Sequence, residues 1–252
     1  MSKLIPLLKN PTLIVLILII VGGILRLYNI NWDQGHFLHP DERLYVNSSN
    51  IFLPATLNEF FTADSPLNQK MFYYGPLPLY IYKLVDIYIL PSMSFLLTSR
   101  LVSSVFSILT IPLIFLIGKE IFSKKVGVLS TLIFAFSAGS IQYSHFNTTE
   151  SILVFLLSLT LLLSLKFIKT QKYSTLFLLT PFMGAAYATK ITALLYLVIP
   201  LSSIFLIFLQ SKNWKKCIAQ TFLFLILTFF FCLIFAPYQI IDYSNFHREQ
   251  EY

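Results

Sequence analysis

Charge is the scarcest commodity in this sequence. Only 12% of its 252 residues are Asp, Glu, Lys or Arg, about half of the roughly 25% typical of soluble domains. That deficit excludes an ordinary soluble globular protein. Cysteine is scarcer still: Cys217 and Cys232 lie fifteen residues apart on one predicted helix, separated by ~22 Å of helical rise. No disulfide can join them, so cysteine usage carries no information about redox compartment. Internal repeats and low-complexity tracts are absent too, which argues against a repeat architecture. In their place are long apolar runs, with 56% apolar residues and a mean hydropathy of +0.75.

A helix that crosses the hydrocarbon core needs about 20 mostly apolar residues. Runs near 12–28, 101–118, 126–143, 151–168, 174–189, 191–209 and 218–236 qualify. They predict an all-α integral membrane protein, a single transmembrane domain over 1–252 with about seven transmembrane helices. The first run is too long, and lacks the small-residue cleavage site, to be a removable signal peptide; it reads as an anchor.

The net charge of +7 orients the chain and implies no nucleic acid. With seven spans, Lys3, Lys9, Lys119, Lys124, Lys125, Lys166, Lys169, Lys172, Lys212, Lys215 and Lys216 share one side, opposed only by Glu120. This is the positive-inside pattern, and it places the N-terminus in the cytoplasm of a plasma or inner membrane. Parity decides two ambiguous segments. Residues 76–90 carry Lys83 and Asp86 mid-run and are expected as an interfacial helix on the outer surface. Residues 174–209 must be two spans, with Lys190 at the outer turn between them. A long first outer loop, 29–100, and the start of a further outer loop, 237–252, complete the outer face. The chain reads as the N-terminal part of a longer protein.

Candidate chemistry gathers on that face. The predicted spans carry no charged residue near their centres, Arg26 and Lys166 sitting close to the ends, whereas an ion-coupled transporter places ionisable groups near the midplane. His39-Pro40-Asp41-Glu42-Arg43 reads as a helix start, Pro at the first position with acids behind it. The acids serve helix-end electrostatics on the bland reading and supply a general base on the functional one. Neighbouring helical residues point in different directions, so one acid can face a site while the other supports it. A helix N-terminus also attracts phosphate. Gln142, Tyr143, His145, Asn147 and Glu150 form a second cluster. There Glu150 follows Asn147 by three residues in the manner of a capping box, or else offers a second acid to position an acceptor or, with His145, a divalent metal. One histidine without ligand spacing is a weak metal signal. Lys190 is a snorkelling helix-end lysine or a cation for a lipid phosphate. Sequons at Asn47 and Asn147 face outward in this topology.

The combination of Leu25-Arg26-Leu27-Tyr28 closing the first span, His39-Pro40-Asp41-Glu42 in the first outer loop, Tyr74-Gly75-Pro76-Leu77-Pro78-Leu79-Tyr80, and Arg100 before the second span resembles the GT-C glycosyltransferases. It is most similar to the superfamily of protein O-mannosyltransferases and lipid A aminoarabinose transferases. The loop Ser144–Glu150 and Ala188-Thr189-Lys190 sit where those proteins carry comparable features. The resemblance implies a GT-C-like bundle and an inverting transferase that uses a polyprenyl- or dolichyl-phosphate sugar at the outer membrane face. It implies Asp41 as the base toward the acceptor hydroxyl, with Glu42 in support. Arg43, Arg100 and Lys190 become cations for the donor phosphate, and His145, Asn147 and Glu150 further substrate-binding residues. Beyond the lipid-phosphate donor and a possible divalent metal it implies no cofactor. Partners are membrane lipids, the donor, and an acceptor that is a protein, a lipid or a glycan. The aminoarabinose branch carries Lys-Pro-Pro where this chain has Tyr74-Gly75-Pro76, with Lys70 close but out of register, so that substrate finds no support. The alternatives from other classes are a flippase for the same lipids and a non-catalytic membrane scaffold.

Overall fold

The computed structural model describes residues 10–251, and it is helical throughout. Lys3 and Lys9 of the basic N-terminal flank lie outside the described residues. Helix α1 (Pro11–Leu27) starts under an Asn10 cap that accepts from the Thr12 N–H, with Pro at its first turn. A turn-rich segment leads to α2 (Pro40–Asn47), the short α3 (Leu57–Phe60) and α4 (Leu77–Tyr88). Then follow α5 (Phe95–Ile121), α6 (Lys124–Ala135), α7 (Ala138–Ser144), α8 (Glu150–Thr170) and α9 (Tyr173–Thr189). A 3-10 turn (Ile191–Leu197) runs straight into α10 (Val198–Ser211), and α11 (Trp214–Phe235), α12 (Tyr238–Ile241) and α13 (Tyr243–Gln250) close the chain.

Helix occupies each expected run, broken within 126–143 and opening as a 3-10 turn in 191–209, and Leu77–Tyr88 is the separate helix α4. By length, the seven expected crossings reduce to four or five. Among the described residues four helical segments are long and apolar enough to cross a membrane: α5, α8, the 3-10/α10 unit and α11. Helices α6 and α7, bent by 56° at their junction, make a fifth if they form one span. Helix α1 is apolar but shorter, at 17 residues, and α9 has the same length.

The bundle is a chain of neighbours in which α1 packs on α5 and α6, α5 on α6 and α8, α8 on α9, and α9 on α11. Lipid is as apolar as a leucine side chain, so packing and interhelical hydrogen bonds hold such contacts. The buried face of α5 follows that rule, being lined by Ser99, Ser103, Ser104, Ser107 and Thr110. Ser104 Oγ reaches the carbonyls of both Arg26 and Ser144, at 2.9 and 2.8 Å.

Arg26 explains the bend between α6 and α7. Its guanidinium is buried, donating to the Phe134 and Ala135 carbonyls at 3.1 and 2.9 Å, to Ser107 and Ser140 hydroxyls, and to Gly22 O. It thus caps the carbonyl end of α6, where a cation meets the negative end of the helix dipole, and frees the chain to restart at α7.

The long segment 29–100 is not a separate layer. Tyr45 of α2, Leu79 and Tyr82 of α4, Val102 of α5, Ile152 of α8 and Ala186 of α9 share one buried cluster. A second cluster, around Phe167, Leu179, Ile207 and Phe224, lies deeper among α8 to α11. This segment is therefore built onto the long helices, and it is at that junction that the polar residues converge.

Candidate functional site

The turn after α1 brings Asp33 beside Arg100, the sixth residue of α5, and α2 brings Glu42 to its other side. Arg100 Nη1 and Nη2 meet the two Asp33 oxygens at 2.8 Å each, while Nε and Nη2 meet the two Glu42 oxygens at 2.7 Å each. Nη1 also donates to the Ile30 carbonyl at 3.2 Å, and the Trp32 ring lies 5.4 Å from the guanidinium carbon. Glu42 Oε1 accepts the Asn147 backbone N–H at 2.8 Å as well. All three ionic side chains are fully buried. The Arg100 guanidinium, with help from the Gly35 and Leu38 N–H groups, holds the Asp33 carboxyl well below the usual carboxylate range against the opposing cost of burial. This trio ties the turn, α2, α5 and the loop before α8 into one rigid frame.

That geometry corrects the expectation for Arg100. All of its N–H directions are spent inside the protein, so it has none to offer a donor phosphate. Glu42 likewise has both oxygens engaged and no exposure. Asp33 did not figure among the sequence candidates.

One residue along α2, Asp41 stands half-buried on a different face. The Tyr74 phenol lies near it, pushed up to about 12 by burial first, then by Asp41 and then by Glu150. The Tyr45 ring stacks on Tyr74, with centroids 6.0 Å apart and planes at 11°. The Tyr45 hydroxyl, fully buried, is raised well above its ordinary value by desolvation and by the nearby Tyr82, Glu150, Tyr74 and Asp41. Lys190, the residue closing α9, places Nζ 3.2 Å from Glu150 Oε1 and 5.3 Å from the Tyr74 ring centre. Asp41, Tyr74, Glu150 and Lys190, drawn from α2, the loop before α4, α8 and the end of α9, thus form one half-exposed group.

Two backbone features hold the group together. The Gly75 N–H donates to Thr189 O at 3.1 Å, joining the Tyr74 loop to the Thr189-Lys190 turn. A Cβ at Gly75 would run into the Ala188 carbonyl, so only glycine permits that approach.

The other candidates fall elsewhere. Glu150 is the first residue of α8 and Thr149 its N-cap, with no side-chain cap bond, so the expected Asn147/Glu150 capping box does not form. Asn147 is fully buried and both its amide atoms lack partners, which closes that sequon to solvent. His145 joins α7 to the end of α1: its ring nitrogens lie 2.8 Å from the Ile141 and Tyr28 carbonyls. Among the described residues no group of three His, Cys, Asp or Glu side chains could hold a metal, and His145 with Glu150 does not make one. Arg43 is exposed, donates to Phe37 O at 3.0 Å, and lines a surface cavity with His36, Phe37, Val46 and Asn47, away from Asp41. Lys70 pairs with Asp64 and Asp242. Tyr74 had been legible only as part of a Tyr-Gly-Pro string; the signal for its placement is the glycine after it.

The chain superposes on a S. cerevisiae protein O-mannosyltransferase, from a Pmt1–Pmt2 complex bound to the sugar donor, with a TM-score of 0.63 over 98% of this chain. At 15% identity the likeness speaks for the fold, and this chain spans 36% of the length of that one. The helical architecture is thus that of this protein O-mannosyltransferase's corresponding part. Residues 76–241 match the model of the dolichyl-phosphate-mannose-protein mannosyltransferase family, and the chain belongs to that family, as a multi-pass integral membrane protein. No curated protein matches it. The family match begins at Pro76, so Asp41, Glu42 and Tyr74 lie outside it and rest on the geometry above.

Proposed function

We propose that this chain is the membrane module of an inverting glycosyltransferase, which moves a sugar from a polyprenyl- or dolichyl-phosphate donor to an acceptor hydroxyl at the outer membrane face. The observation that carries it is the pairing of a rigid buried frame, Asp33–Arg100–Glu42, with a half-exposed carboxylate, Asp41, on the adjacent residue of the same helix. A neutral hydroxyl is a poor nucleophile, and a positioned carboxylate improves it by about 10²–10⁴-fold. Asp41 takes the acceptor's proton as the acceptor oxygen forms its bond to the sugar's anomeric carbon. The carbon–oxygen bond to the phosphate breaks on the opposite face, and its electron pair leaves with the lipid phosphate. Lys190 is the cation beside that phosphate, its charge shared with Glu150 at 3.2 Å. Glu42 and Arg100 hold α2 in place and touch no substrate.

In this reading seven helical units cross the bilayer, α9 and α1 included and α6–α7 as one. The lysines at the α5–α6, α8–α9 and α10–α11 junctions mark the cytoplasmic side. Lys169 meets Glu120 at 2.8 Å and Lys216 meets Gln171 at 3.1 Å, which puts those three junctions at one end of the bundle. Asp41, Glu150 and Lys190 lie at the other end, at headgroup level, where the phosphate of a lipid-anchored donor must sit.

The test uses membranes carrying the full-length protein, offered radiolabelled polyprenyl-phosphate sugars. Wild type consumes donor, and Asp41→Asn slows consumption by about 10²–10⁴-fold while its thermal stability is unchanged. An Asp41→Asn variant with full turnover sinks the mechanism. Intact labelled lipid crossing the bilayer, with no sugar lost, would show a flippase instead.

A further inference from the structure

We propose that the cavity beside Arg43 binds a phosphate group, at a second anion site separate from the donor phosphate at Lys190. The ligand is a phosphomonoester or phosphodiester anion, carried on the headgroup of a membrane lipid or free in solution.

The cavity lies on the flank of α2 turned away from Asp41. Arg43 stands two residues beyond Asp41, about 200° around the helix, so α2 shows a carboxylate on one side and a guanidinium on the other. The cavity walls are His36, Phe37, Arg43, Val46 and Asn47, and none of them belongs to the group of Asp41, Tyr74, Glu150 and Lys190. Its volume is about 260 Å³, just under the roughly 300 Å³ at which pockets for drug-sized ligands begin. A headgroup phosphate fits that space; a whole lipid-linked sugar does not.

The charges around it point to an anion. Among the described residues at this end of the bundle, Lys70, Lys83, Arg100 and Lys190 each meet a carboxylate within 3.2 Å. Arg43 meets none. Its Nε donates to the Phe37 carbonyl at 3.0 Å, which fixes the plane of the guanidinium and leaves Nη1 and Nη2 to a ligand. The Phe37 backbone that presents this carbonyl has φ +52°, in the left-handed region where a bulky residue is an outlier. A planar guanidinium with two free N–H groups matches two oxygens of a phosphate. The His36 ring and the Asn47 carboxamide are exposed on the same cavity, and each can turn an N–H to the remaining oxygens. In the topology proposed above, α2 stands at headgroup level, where lipid phosphates are abundant.

The experiment uses the full-length protein in detergent and two probes. Radiolabelled inorganic phosphate is followed by equilibrium dialysis, and retention of phosphatidylglycerol against phosphate-free diacylglycerol by native mass spectrometry. Arg43→Gln weakens binding of at least one probe about tenfold, as expected for losing hydrogen bonds from a charged group. Arg43→Lys keeps the charge but loses the fork, and recovers only part. Lys190→Gln leaves this binding as it is in wild type. Asn47→Ala weakens it about threefold; its side chain supports no other contact, so it decides the matter even where Arg43→Gln unsettles the Phe37 turn. A loss on phosphatidylglycerol alone assigns the site to a lipid headgroup, and a loss on inorganic phosphate to a soluble phosphate. Binding of both probes that is the same in wild type, Arg43→Gln and Asn47→Ala overturns the site. So does a loss confined to Lys190→Gln, which would mean one anion site and not two. Neither readout needs turnover, so a wild type that consumes no donor is a separate result.

Discussion

Asp41 and Glu42 are neighbours in sequence and opposites in circumstance. Glu42 is fully buried, with both oxygens bound to Arg100 and one also to the Asn147 N–H. Asp41 is half-buried beside the Tyr74 phenol and takes no part in the frame. An α-helix turns about 100° per residue, so one short helix presents one acid to a frame and the next to open space. The difference teaches a division of surroundings: one acid is locked into a buried ionic frame, and its neighbour keeps access to the open side of the site.

The comparison is sharpest in rates against melting temperatures. Asp41→Asn costs about 10²–10⁴ in donor turnover and leaves stability within about 0.5 kcal/mol. Arg100→Met does the reverse. It strands two buried carboxylates without their cation, and breaking such a group by removing one partner costs about 3–5 kcal/mol. Thermal unfolding in detergent should show that loss, and Arg100→Lys should recover little of it, because an ammonium cannot serve two carboxylates in bidentate fashion. An Arg100→Met variant that melts like wild type but has lost activity would merge the two regions and return Arg100 to the substrate.

A smaller effect is expected from acid. Asp33 is held well below the carboxylate range, by Arg100 foremost. A carboxyl lowered in the folded state adds stability above its unfolded value, near 4, and that contribution drains away as pH falls toward the folded value. Melting temperature should therefore drop as pH goes from about 5 to about 3, and the acid-dependent part of the drop should be shallower in Asp33→Asn. Equal slopes in the two proteins would remove Asp33 from the frame.

Legibility in the sequence divides along the same line. Helix α2, its Pro40 start and the two acids are local patterns, and the apolar runs that became α1, α5, α8, α10 and α11 are visible to any hydropathy reading. The frame was not legible, since Asp33 and Arg100 lie 67 residues apart and Glu42 and Arg100 58 apart. No periodicity announces such a pairing, and an arginine just inside an outer span end looks the same whether it serves a phosphate or a buried acid. The spacing left Glu150 open as a cap partner for Asn147; its carboxylate meets Lys190, 40 residues on. The clasp of residues 238–250 on 65–72 spans more than 170 positions and leaves no trace in either segment alone.

The smallest predicted effect falls on the boundary between the two regions. Tyr45 packs its ring between Tyr74 and Tyr82, yet its hydroxyl is buried without a hydrogen-bond partner. An unsatisfied buried polar group costs about 1–3 kcal/mol, so Tyr45→Phe keeps the stack and removes the liability. Stability should rise by up to about 1 kcal/mol, and donor turnover should stay within about twofold of wild type. A substantial loss of turnover without loss of stability would mean that the hydroxyl meets substrate when the site is filled. The boundary of the reactive group would then move one helical turn into the protein, and Tyr45 would stand beside Asp41 and not behind it.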